Sequence, residues 1–179
     1  MEEHVRRPRT LLQLKNAFWE LDEHCLGVTF GHRPSYLRLA VLCRPFPDAE
    51  DDSDRDVLLA AVTIDQGTYQ GGFEMHTSST ELAHLRRLLQ ELAQRADRPT
   101  DASFRFVEAV LHLRVQSSRH GFMTMDVEAR DQSYEEPALQ YSIGFAQSDL
   151  RDWIEALDVI LEVFPPAFEL SLSSDPLHY

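Results

Sequence analysis

The side chains best suited to chemistry in this sequence are its eight histidines and its excess of carboxylates. Asp126 and Glu128 lie two residues apart in the alternating stretch MTMDVEA, so on a strand both point to the same side. A neighbouring strand carrying His112 would set an imidazole beside Asp126 or Glu128. A carboxylate in that place raises the imidazole pKa and creates a general base, the core of a small hydrolase. The two acids could equally serve a metal or paired acid–base chemistry. The spacings argue otherwise: no HxH, HExxH or Cys/His pattern occurs, and His76, His84, His112 and His120 fall on polar faces or in a turn. Ser78, Ser79 and Thr80 lack the glycine frame of a nucleophile elbow, and GTYQGG lacks the lysine and spacing of a phosphate loop. Surface histidines, a solvated sheet face and helix caps account for all of these, so no catalytic, metal or cofactor site is expected.

The elements that would carry these residues follow from periodicity. From Thr10, the spacing of Leu11, Leu14, Phe18 and Leu21 fits a short amphipathic helix, with a strand as the alternative. Leu26, Val28 and Phe30 alternate, as do Leu37, Leu39, Val41 and Cys43, with turn residues Gly31 to Pro34 between them; this predicts a hairpin. RPFPDAEDDSDRD, with six acids from Asp48 to Asp56, reads as an exposed acidic loop over 45–56. Val57 to Ile64 and Thr68 to Met75 form a second hairpin through Asp65-Gln66-Gly67, with Tyr69, Phe73 and Met75 inward and a bulge or close approach at Gly71 and Gly72. Ser78 to Thr80 then cap a helix whose Leu82, Leu85, Leu89 and Leu92 recur at helical spacing to about Ala96.

Period two returns in Phe104 and Phe106, in Leu111, Leu113 and Val115, in Met123, Met125 and Val127, and in Leu139, Tyr141, Ile143 and Phe145. Ser148 caps a last helix whose apolar stripe runs Leu150, Trp153, Ile154, Leu157, Ile160, Leu161 and Phe164, stopped by Pro165-Pro166. Its outer stripe holds Asp149, Asp152, Glu155, Asp158 and Glu162. The predicted class is α+β, an antiparallel meander sheet with amphipathic helices packed on one face. The two halves share a plan without a residue-level repeat, and one domain over 1–179 is expected.

Composition narrows the function. No apolar run approaches the ~20 residues of a membrane span, and MEEHVRRPRT is not followed by the apolar stretch of a secretory signal, so a cytoplasmic protein is expected. Cys25 and Cys43 have no CxxC spacing and read as small core residues. The net charge of −13, with 30 acids against 17 bases, repels phosphate backbones and attracts basic protein surfaces, which disfavours direct nucleic-acid binding. The arginines of the middle helix, Arg86, Arg87, Arg95 and Arg98, could form an anion-binding strip, but read more simply as internal partners for acidic segments or as ordinary solvated charges. The acid is concentrated in the 45–56 loop, in Asp126 to Glu136 and on the last helix. The candidate partner-binding residues are therefore Asp51, Asp52, Asp54, Asp126, Glu128, Asp152, Glu155 and Glu162.

Three stretches, DVLLAAVTIDQGTYQGGFEMHTSSTELAHLRRLLQEL, FRFVEAVLHLRV and YSIGFAQSDLRDWIEALDVILEVFP, together resemble the WapI-type bacterial immunity proteins. The shared order is a hairpin leading to a T-x-E-L helix, a phenylalanine-rich strand with a glutamate, further strands, and a helix ending at FP. The resemblance implies a non-catalytic protein that binds and neutralises a toxin domain, many such domains being nucleases with basic surfaces. An acidic secretion or folding chaperone is the alternative binding module, and the hydrolase built on His112 with Asp126 or Glu128 is the enzymatic one.

Overall fold

The computed structural model describes residues 25–95, 100–117, 122–130 and 138–167. The segment from Thr10 to Leu21, Arg98, His120 and the acids of 131–136 lie outside them.

Alternating apolar side chains pair the first strands into an antiparallel meander: β1 (Gly27–His32), β2 (Ser35–Cys43), β3 (Val57–Gln66) and β4 (Tyr69–Ser78) form one four-stranded sheet in sequence order. A second meander follows, of β5 (Asp101–Arg105), β6 (Leu111–Ser117), β7 (Phe122–Ala129) and β8 (Leu139–Ala146). The meander is thus split into two sheets, and each is followed by a helix, which gives the shared plan of the halves a physical form. Three helices occur among the described residues: α1 (Asp52–Asp56), α2 (Ser79–Gln94) and α3 (Asp149–Val163).

Each helix start is set by nearby polar groups. Ser78 Oγ accepts from the Glu81 amide while the Glu81 carboxylate accepts from the Ser78 amide, a complete capping box for α2. At α3 the expected cap differs: Ser148 makes no side-chain cap bond, and Asp149 instead accepts from the Ala146 amide at 3.0 Å. An αR backbone at Ser148 turns its hydroxyl away from the first-turn amides.

Both sheets and both long helices share one core. Leu82, Leu85, Leu89 and Leu92 of α2 and Leu150, Trp153, Leu157 and Ile160 of α3 are buried in it, beside Val28, Leu39, Val62 and Met75 from the first sheet and Leu113, Met125, Val127 and Ile143 from the second. Trp153 joins the halves: its ring meets Phe30 of β1 at 5.1 Å, edge-on, and Phe145 of β8 at 4.6 Å. Gly31, at φ +85°, lets β1 approach β8, since a Cβ there would lie 2.5 Å from Ile143 Cγ2 and 2.7 Å from the Ser35 carbonyl oxygen.

Four expectations are corrected. The 45–56 segment is not loop throughout, because Asp51 caps the single turn of α1 by accepting from Ser53. No bulge occurs at Gly71 or Gly72, where pairing with Ile64 and Thr63 is continuous; the register shift is in β2, between Val41 and Cys43. The close approach at Gly71 comes from its neighbour's ring, with Tyr69 Oη 3.2 Å from a Cβ built there. Tyr69 itself, at the start of β4, is exposed, while Met75 is buried and Phe73 packs at the core margin. Cys43 is exposed at the strand end past that register shift, and Cys25 is half-buried.

Candidate protein-binding surface

The acidic segment between β2 and β3 is built from its two ends. Arg44 donates to Ser79 Oγ at 2.9 Å and to the Pro165 carbonyl at 2.7 Å, tying the segment's start to the head of α2 and the chain beyond α3. Asp56 does the same at the far end, accepting from the amides of Thr80 and Ala167, each at 3.0 Å. It is 2% exposed, although its neighbours Asp51, Asp52 and Asp54 are all in solvent. Ser53 bonds hold Asp51 below the ordinary carboxylate range. Asp52 is ion-paired with Arg55. Between the two clamps Phe46 stands exposed beside an open hollow of about 460 Å3, lined by Pro45, Phe46, Pro47, Asp48, Ala49 and Asp54.

On the wet face of the second sheet, register sets the polar side chains in rows. Ser103, Arg114, Asp126 and Ser142 face one another across four strands, as do Arg105, His112, Glu128 and Gln140. Asp126 accepts from Ser142 Oγ at 2.6 Å, Arg114 pairs with Asp101, and Glu128 pairs with Arg130 at 2.6 Å and accepts from Gln140. The arginines hold Asp101 and Glu128 below the usual carboxylate range. Asp126 and Glu128 therefore share one face, as their spacing predicts, but among arginines rather than in a purely acidic patch. His112 does stand opposite Glu128; its pKa is nevertheless lowered, the reverse of the general-base expectation. Burial and the positive charge of Arg105 outweigh the Glu128 carboxylate, whose charge Arg130 already answers.

The outer stripe of α3 is the most acidic element, with Asp149, Asp152, Glu155, Asp158 and Glu162 against Arg151 alone. Arg151 pairs with Glu155 one turn on, and Arg86 of α2 pairs with Asp158, the internal role expected of the middle helix. Asp152 and Glu162 remain in solvent, alongside exposed Val159 and Val163. A second open hollow, lined by Ala93, Gln147, Ser148, Arg151, Ile154 and Glu155, lies at the start of α3.

Two glutamates outside the predicted set join the halves. Glu81 accepts from the Val107 amide at 2.6 Å as well as completing its capping box, and Glu108 accepts from the His76 amide at 3.1 Å. Burial pushes the Glu81 carboxyl above its ordinary value of 4.5, against the pull of these bonds. The roles of Arg44, Asp56 and Glu108 have no local signal because their partners lie far along the chain, whereas Phe46 had one, a phenylalanine between two prolines in an acidic run. Among the described residues, no group of three or more His, Cys, Asp or Glu could hold a metal ion, and no helix is long and apolar enough to cross a membrane.

Compared with known proteins, residues 28–165 match the model of the immunity protein WapI-like family. No curated protein matches the chain. Among solved structures, the plant transcriptional regulator PBF-2 is similar at a TM-score of 0.48 and 8% identity, over 78% of this chain and 82% of that one.

Proposed function

The chain belongs to the WapI-like immunity protein family, and from that membership we propose that it binds and neutralises a cognate toxin domain in the cytoplasm by occluding a basic surface. The family match over residues 28–165 carries this reading. Occlusion calls for a stable scaffold presenting charge. A nuclease domain must be basic where it grips phosphate, so the carboxylates of an acidic inhibitor can take the place of its substrate. The contact residues proposed are Asp51, Asp52 and Asp54 on the β2–β3 segment, Asp126 and Glu128 on the second sheet, and Asp152, Glu155 and Glu162 on α3. The net charge of −13 supports electrostatic steering of the encounter.

The test is co-expression with candidate toxin domains, those of neighbouring reading frames first, followed by binding kinetics over a salt series with the one that is neutralised. Rescue of growth, with an association rate falling at least tenfold between about 50 and 500 mM salt, is the expected result. Rescue with a salt-independent association rate would remove the electrostatic part and leave neutralisation standing.

A further inference from the structure

Phe46 is 54% exposed and opens a segment that carries six acids from Asp48 to Asp56. Pro45 and Pro47 on either side each fix a backbone φ, and the Ala49 amide donates to the Phe46 carbonyl at 3.3 Å. Beyond them, Arg44 and Asp56 fasten both ends of the segment to α2 and to the chain after α3. The ring is thus displayed on backbone that has little freedom left to lose on binding. Its hollow is lined by four apolar residues, Pro45, Phe46, Pro47 and Ala49, together with two acids, Asp48 and Asp54. The two cations of the segment are committed elsewhere, Arg44 to Ser79 and Pro165 and Arg55 to Asp52.

We propose that this hollow receives an arginine side chain from the basic surface of the protein partner, its guanidinium stacked on Phe46 and paired with Asp48 and Asp54. The assignment rests on the toxin-binding reading and adds the anchor to it. Guanidinium is the cation that fits, because it is planar, stacks on aromatic faces and pairs with carboxylates through a fork of donors. A second copy of this chain is disfavoured as occupant, since the surface it would bring carries the same net negative charge. Steering charges at a rim act on association, whereas a buried anchor acts on dissociation, and this separates the hollow from the rest of the acidic surface.

The experiment measures association and dissociation of the purified toxin domain that this chain neutralises with wild type, F46A, F46L, D48N/D54N and D152N/E162Q, after circular dichroism melts show each variant folded. Phe46 is exposed, so F46A should melt with wild type. The expected result is dissociation about 30-fold faster for F46A and about tenfold faster for F46L and for D48N/D54N, with D152N/E162Q changing association alone. An F46A dissociation rate within threefold of wild type overturns the anchor while leaving toxin binding intact. Full recovery in F46L overturns the stacked guanidinium. A wild-type protein that does not bind the toxin domain overturns the neutralisation reading, and the arginine site with it.

Discussion

A carboxylate sealed from water loses its hydration and is tolerated only where fixed donors replace it. Asp56 has two, the amides of Thr80 and Ala167, and it sits at the head of α2, where the helix dipole favours negative charge. Truncation in D56A would leave both amides unpaired and should cost about 2–3 kcal/mol in urea unfolding, with D56N losing less because one acceptor oxygen survives. Glu81 is a different case. Burial raises its pKa, so the folded state holds this proton more tightly than the unfolded chain does. Its contribution is therefore most favourable below the ordinary value of 4.5 and declines as pH rises through the folded value. The stability of wild type relative to E81Q should fall as pH rises above the ordinary value of 4.5, as read from urea midpoints across a pH series. A relative stability that climbs with pH would mean that the bonds from Val107, Ser78 and Thr77 to the anion outweigh its burial. Neither role is legible locally. Asp56 is the same residue type as the solvated Asp52 and Asp54 beside it, and what distinguishes it is an amide at position 167. The lowered pKa of His112 is equally invisible locally, since it comes from burial and then from Arg105 on the neighbouring strand β5.

At the scale of elements, the apolar periods translate directly into burial. Leu82, Leu85, Leu89 and Leu92 are core residues at helical spacing, and Leu111, Leu113 and Val115 are core residues at strand spacing, because a residue's side of a helix or strand is fixed by geometry alone. The partition into two sheets was not legible, since alternation does not say which strand ends a sheet. That boundary depends on contacts such as Gly31 against Ile143, where only a missing side chain lets the two sheets meet. G31A would meet both a positive φ and two atoms inside contact distance, so it should destabilise the protein by about 1–3 kcal/mol, measured by denaturant midpoint. The end of the apolar face was also unreadable: Tyr69 has the phase of buried Met75 and half-buried Phe73 but is exposed, and alternation does not say how far along a strand the core extends.

At the scale of the molecule, α2 and α3 are packed together with both sheets around one core, and Trp153 touches a ring from each half. The halves should therefore unfold together. In a W19F background, urea curves followed by Trp153 fluorescence and by far-ultraviolet circular dichroism should superimpose, and separated midpoints would show that the halves are independent units. The acidic segment stands outside this cooperation except at its ends. Arg44 and Asp56 hold its two feet to the scaffold, and the residues from 45 to 55 between them contribute nothing to the shared core. If the proposed contact is made there, such a segment would serve as a replaceable cassette: its sequence could be exchanged while both feet stay in place, so recognition could diversify without the fold being renegotiated each time.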